Sequence, residues 1–175
     1  MDLNEYFAQG MNPTDYETLL DADQRDLHAL YHRRARLNPA TVEALQSVDG
    51  LRALVITEPW CGDSLAVFPV MLAVFEVAGI EVRVVRRDEH LELIDRYLTN
   101  GGRAIPIAVL FDESGAERFH WGPRPAPAQR IVEDHRAAVA AGEIEKSEVY
   151  KKVRAFYASD RGNTIVDELA ARLQG

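Results

Sequence analysis

The chain has 175 residues, of which 47% are hydrophobic and 27% charged, and its formal net charge is −8. This length and composition fit one globular domain with a full core, and the acidic charge argues against binding to nucleic acid or to an anionic membrane, since both attract basic surfaces. The chain has no apolar run long enough to span a membrane and no secretory signal at its start. Its single cysteine excludes an internal disulfide, which fits a reducing compartment. We therefore expect a cytoplasmic protein.

Residues 2–48 predict a helical leader. Apolar residues between Leu27 and Leu37 recur at helical spacing with charged residues between them. Asn38 followed by Pro39 predicts a helix start, because asparagine is a good cap and proline fits the first helical position. This short helix ends at the Asp49-Gly50 turn.

From residue 51 the pattern changes to alternating strands and helices. The predicted elements are strand Leu51–Thr57, helix Trp60–Ala78, strand Ile80–Arg87, helix His90–Thr99, strand Ile107–Phe111, strand Ala116–Trp121, a helix over about 128–140, and helices over 144–173 broken near 160–163. The first β-α-β unit implies a parallel right-handed crossover, and the turn at Gly115 implies an antiparallel hairpin. We therefore expect one domain over 1–175, with a core at about 51–140, a leader over 1–50 and a tail over 141–175.

Four features then occur in order along this core. They are Trp60-Cys61-Gly62-Asp63-Ser64 at the first strand-to-helix turn, Pro69 inside that helix, Arg103-Ala104-Ile105-Pro106 before the third strand, and Gly122 after the hairpin. With these features the sequence resembles the thioredoxin superfamily. More narrowly it is similar to a little-characterised bacterial group of thioredoxin-like proteins, on the segments ITEPWCGDS, RDEHLELIDRYLTNGGRAIP and WGPRPAPAQ.

The resemblance implies an α/β thioredoxin fold, in which helices flank a central mixed sheet of about four strands, here with helical extensions at both ends. It also implies a cis peptide bond before Pro106, which lies against Cys61 and lets the backbone at Ile105 pair with an extended substrate. The alternative is an ordinary trans proline that starts an edge strand.

Cys61 is the candidate nucleophile. A thiolate at a helix N-terminus is stabilised by free N–H groups that carry partial positive charge, and the thiolate is the species that attacks disulfides. The alternative is that Cys61 is merely a small buried apolar residue. No cofactor is implied by the motif.

A groove around Cys61 is the candidate substrate site. We expect it to be lined by Trp60, Gly62, Asp63, Ile105, Trp121 and Gly122. Trp121 could instead pack in the core. Arg103 and Arg124 could pair with a substrate carboxylate at the groove mouth, or could simply be solvated.

Three positions depart from the dithiol thioredoxins. Ser64 replaces the second cysteine, so no disulfide can form within the motif, although its hydroxyl could donate a hydrogen bond to the thiolate. Asp63 favours the helix but repels a neighbouring thiolate. Val55 stands six positions before Cys61, where many thioredoxins carry a buried carboxylate. The nearby Glu58 is expected to be solvated in its loop.

The histidines are weaker candidates. His90 and His120 could act as bases only if folding brings them close to Cys61. His28 and His32 have a spacing that can bind metal on a helix, but no third ligand is evident, so we expect surface residues and no metal site.

The sequence favours a monothiol thiol–disulfide oxidoreductase that acts through mixed disulfides with a protein or a low-molecular-weight thiol. The alternative is a redox-inactive thioredoxin-fold module that binds proteins. A peroxide-reactive Cys61 ranks last, because the motif supplies neither a base nor an arginine beside the sulfur. Nothing in the sequence indicates an oligomeric state.

Overall fold

A computed structural model describes residues 1–175, and its centre is a four-stranded mixed sheet. The strands are β1 (Leu51–Thr57), β2 (Glu81–Arg86), β3 (Ile107–Asp112) and β4 (Glu117–Trp121). They lie in the order β2-β1-β3-β4, with β1 parallel to β2 and the other two pairs antiparallel. Together with its flanking helices, this sheet is a thioredoxin-like fold, so the predicted fold class is confirmed.

The leader forms four helices: α1 (Leu3–Gln9), α2 (Pro13–Glu17), α3 (Ala22–Arg34) and α4 (Pro39–Gln46). The Asn38 side chain caps α4 and Pro39 opens it, as predicted. Between α1 and α2 the backbone of Met11 forms an antiparallel bridge to Val84 on β2, through hydrogen bonds of 2.9 and 2.8 Å. The leader therefore adds to the edge of the sheet as well as to the helical layers.

Helix α5 (Gly62–Val77) follows β1 and is the central helix of one layer. Its residues from Ala66 to Phe75 are all buried, because they lie between the sheet and the surrounding helices. Pro69 lies inside this helix. A helix that is apolar on all sides is the expected sequence signature of such a position.

The two faces of the sheet support separate apolar clusters, because alternate residues of a strand point to opposite faces. Ala53 and Val55 of β1 pack with α5, the leader and the tail. Leu54 and Ile56 pack in a smaller cluster with α1 and with α6 (Leu91–Ile94). Val55 is fully buried, in keeping with an apolar residue at this position.

Two helix predictions differ from the structure. The predicted helix His90–Thr99 ends after one turn, because its hydrogen bonds tighten to three-residue steps at Arg96 and Tyr97. Buried Tyr97 then donates to Glu117 of β4, which anchors this irregular segment. The predicted helix at 128–140 is two helices, α7 (Ala126–Asp134) and α8 (Arg136–Ala140), divided at His135.

The tail forms α9 (Lys146–Asp160) and α10 (Asn163–Gln174). The break between them occurs where it was predicted, at Arg161 and Gly162, which both have positive φ angles. Helix α10 packs against α5, and α9 packs against α7. None of the helices is both long and apolar enough to cross a membrane.

Candidate functional site

Cys61 lies at the turn between β1 and α5, as the N-cap residue of a 16-residue helix. Its side chain is partly exposed and makes no capping hydrogen bond to the helix. The thiol donates to the carbonyl oxygen of Ile105 at 3.5 Å. The first helical N–H groups therefore lie beside a cysteine that is partly buried against the smaller apolar cluster and whose side chain leaves them free.

The Ile105–Pro106 peptide bond is cis, and Ile105 is buried next to Cys61. Gly122 lies behind this segment. A Cβ atom on Gly122 would be 2.2 Å from the Pro106 carbonyl oxygen, and its φ of +124° also favours glycine. Gly122 thus permits close packing of the Pro106 loop, but it does not line the space in front of the sulfur.

A pocket of about 310 Å³ opens beside Cys61. The motif provides Trp60, Cys61, Gly62 and Asp63 on one side, and α9 provides Tyr150, Val153, Arg154 and Tyr157 on the other. The sequence analysis missed this second wall. The repeat of Val149, Val153 and Tyr157 indicates an apolar face on α9, but it does not indicate what that face covers.

Trp60 forms the outer rim of the pocket and is 55% exposed. Its indole N–H donates to Asp88 at 3.3 Å, and the Arg87 guanidinium lies 4.6 Å from its ring centroid. These two contacts hold a large exposed aromatic side chain next to the thiol. An exposed aromatic residue in a fixed position is a suitable surface for the apolar part of a ligand.

Asp63 is buried and does not act as a free anion beside the sulfur. Its carboxylate accepts hydrogen bonds from Arg124 at 2.5 Å and from the Tyr157 hydroxyl at 2.7 Å. Burial, together with the Asp63 charge, raises the pKa of Tyr157 well above its ordinary value, so the hydroxyl remains a donor. Because Arg124 is held in this pair, it is not at the mouth of the site.

Ser64 does not make the expected hydrogen bond to Cys61. Its side chain is buried and its hydroxyl oxygen has no partner. As the third residue of α5 it points into the protein, whereas the Cys61 thiol is directed to Ile105. In this position Ser64 occupies the place of a second cysteine without a hydrogen bond to Cys61.

Glu58 was predicted to be solvated, and this is wrong. The side chain is fully buried, and its carboxylate accepts from Arg86 at 3.2 Å and from the backbone N–H of Asp88 at 2.9 Å. Its own carbonyl accepts from the Cys61 N–H at 3.2 Å. The buried ion pair explains why a carboxylate is tolerated here, and it fixes the loop that precedes the thiol.

The remaining candidates lie outside the pocket. Trp121 is buried in the larger apolar cluster and donates to Glu168 of α10, which agrees with the core-packing alternative. Arg103 pairs with Asp95. His90 stacks edge-on against Tyr6, and His120 pairs with Glu117.

His28 is buried, in contrast to the surface position expected for it, whereas His32 pairs with Glu76. Burial, with a smaller effect of His32, lowers the pKa of His28 to about 4. No cluster of three or more histidine, cysteine or carboxylate side chains could hold a metal ion.

Comparison with known proteins supports the fold assignment. A protein of unknown function from Pseudomonas aeruginosa aligns with 100% of this chain and 98% of its own at 19% identity and a TM-score of 0.76. An HIV epitope scaffold aligns with 100% of this chain and 99% of its own at 17% identity and a TM-score of 0.74. No curated protein matches the sequence. A family model described as thioredoxin matches residues 10–138. The chain therefore belongs to the thioredoxin family.

Proposed function

We propose that this protein is a monothiol thiol–disulfide oxidoreductase, in which Cys61 attacks a disulfide bond and retains one half of it. The observation that carries the proposal is the position of the thiol: partly exposed, at the start of α5, and at the edge of a pocket. A structural cysteine that is fully buried and away from a helix start would have neither the access nor the free helix N–H groups.

The reaction begins with loss of the thiol proton. Ionisation releases the hydrogen bond to Ile105, since a thiolate cannot donate, and the helix N-terminus stabilises the negative sulfur. The thiolate attacks one sulfur of the substrate disulfide. The substrate S–S bond breaks, a bond between Cys61 and one substrate sulfur forms, and the other half leaves as a thiolate that takes up a proton.

The second half of the cycle requires an external thiol. Cys61 is the single cysteine of the chain, and Ser64 occupies the resolving position. A second thiol must therefore attack the mixed disulfide and release Cys61. Val55 is consistent with this scheme, because a buried proton-handling carboxylate at that position would serve a resolving cysteine that the chain lacks.

The test is adduct formation on Cys61. The purified protein is incubated with glutathione disulfide and with 2-hydroxyethyl disulfide, and the product is measured by intact-mass spectrometry. We expect one mixed disulfide per chain, reversed by excess reduced glutathione. The Cys61→Ser variant is expected to form none.

Ser64→Ala is the matched control, because it alters the same turn and leaves the thiol intact. We expect it to form the adduct at a rate within about threefold of the wild-type protein, since the buried Ser64 hydroxyl makes no hydrogen bond to the sulfur. A folded wild-type protein that forms no adduct with either disulfide would contradict the proposal and favour the alternative, a redox-inactive binding module.

A further inference from the structure

The pocket beside Cys61 is closed on one side by α9. Tyr150, Val153 and Tyr157 stand opposite Trp60, so Cys61 borders a hollow with two walls. Its volume of about 310 Å³ is at the lower end of the range for small-molecule pockets. The walls thus favour a compact ligand attached at the sulfur.

The arginines around the motif differ in whether a carboxylate neutralises them. Four of them are paired: Arg86 with Glu58, Arg87 with Asp88, Arg103 with Asp95 and Arg124 with Asp63. Arg154, by contrast, is exposed, lines the pocket and has no carboxylate partner. In a protein with a net charge of −8, an unpaired guanidinium beside the candidate nucleophile is the group free to bind an anion.

The carboxylate that lines the same pocket does not oppose an anion. Asp63 already accepts from Arg124 and from Tyr157, and its side chain is 8% exposed. The other lining groups are the aromatic rings of Trp60, Tyr150 and Tyr157, together with Val153 and Gly62. The pocket therefore offers an apolar surface with one cationic end.

Building on the proposed function, we propose that the disulfide attacked by Cys61 is a small molecule that carries a carboxylate, and that Arg154 binds this carboxylate. The exchange itself is unchanged. The Cys61 thiolate displaces one half of the substrate as a thiolate, and the half that remains on Cys61 keeps its carboxylate against the guanidinium of Arg154.

The test compares three small disulfides that differ in charge: dithiodiglycolate, which is anionic, 2-hydroxyethyl disulfide, which is neutral, and cystamine, which is cationic. Second-order rate constants for the Cys61 adduct are measured by mass spectrometry in wild-type protein, in Arg154→Gln and in Lys151→Gln. Lys151 is the matched control, since it is an exposed cation of the same helix, paired with Glu148, and does not line the pocket.

The three disulfides differ in intrinsic reactivity, so their rate constants are not compared directly. For each protein, the rate constant for dithiodiglycolate is divided by that for 2-hydroxyethyl disulfide. This ratio in each variant is then compared with the ratio in wild-type protein. Loss of one charge-assisted hydrogen bond is expected to lower this ratio about tenfold in Arg154→Gln. Lys151→Gln is expected to leave it within about twofold, because an exposed distant charge acts weakly. The cystamine rate should not fall in Arg154→Gln.

The outcomes distinguish the two proposals. An equal effect of Arg154→Gln on all three disulfides, or the same ratio change in Lys151→Gln, would overturn the carboxylate assignment while adduct formation still supports the oxidoreductase. Failure of all three disulfides to react with wild-type protein would overturn both. Both substitutions replace exposed residues, so loss of folding is not expected to obscure the result.

Discussion

The buried pair of Asp63 and Arg124 supports a quantitative prediction about stability. The two side chains are 8% and 7% exposed, and they join the first turn of α5 to the segment before α7. Replacing Arg124 with methionine leaves the Asp63 carboxylate buried with Tyr157 as its one remaining side-chain donor, at 2.7 Å. A buried charge that loses its partner typically costs about 3–5 kcal/mol, so we expect Arg124→Met to lower the free energy of unfolding by this amount.

The double variant Asp63→Asn/Arg124→Met tests whether the cost arises from the unpaired charge. Both charges are removed, and the asparagine oxygen can still accept from Tyr157. We therefore expect the double variant to lose less than about 2 kcal/mol, which is a smaller loss than that of Arg124→Met alone. Such a rescue would not occur if the guanidinium mattered only for the space that it fills.

Urea unfolding monitored by circular dichroism measures these differences at pH 7. Tyr157→Phe serves as a reference, because it removes one hydrogen bond from the same carboxylate and keeps the ion pair; its expected cost is about 1–3 kcal/mol. The reasoning is refuted if Arg124→Met costs less than about 1 kcal/mol, or if its effect and that of Asp63→Asn simply add.

Two further predictions concern His28 and Gly122. The pKa of His28 is lowered to about 4 in the folded protein, so the unfolded chain binds more protons as the pH falls below the ordinary histidine value, and stability decreases. From pH 7 to pH 5 this group should contribute a loss of about 2 kcal/mol in urea unfolding; a His28→Leu variant with the same loss would contradict the assignment. Gly122→Ala is expected to cost at least about 2 kcal/mol, because its Cβ would be 2.2 Å from the Pro106 carbonyl oxygen at a φ of +124°. Gly62→Ala, which meets no atom within 4 Å, is the control, and equal thermal stabilities of the two variants would refute the packing argument.

The elements that sequence reasoning predicted well are those whose patterns are local. Strand β1 coincides with the predicted Leu51–Thr57, because a short β-branched run between turns is sufficient to define a buried strand. The Asn38-Pro39 start of α4 and the break at Gly162 are likewise encoded within a few residues. The segment after His90 was harder, since contacts of Tyr97 with a distant strand replace helical hydrogen bonds there.

Sequence reasoning predicted only part of the candidate site, because several of its contacts join residues that are far apart in the chain. The motif places Cys61 at the start of a helix, and this follows from neighbouring residues. The burial of Glu58 depends on Arg86, and the pairing of Asp63 depends on Arg124, more than twenty positions away in each case. The wall formed by α9 depends on how the C-terminal tail packs against the Cys61 motif. No local pattern in the sequence indicates this packing.

The bridge between Met11 and Val84 also bears on how the chain behaves at high concentration. Strand β2 is at the edge of the sheet, and an edge strand with free backbone groups can pair with a strand of another molecule. Met11 occupies both the N–H and the carbonyl of Val84 in the middle of this strand. The leader therefore blocks the centre of the β2 edge, and we expect a chain lacking its first twelve residues to expose this edge to self-association.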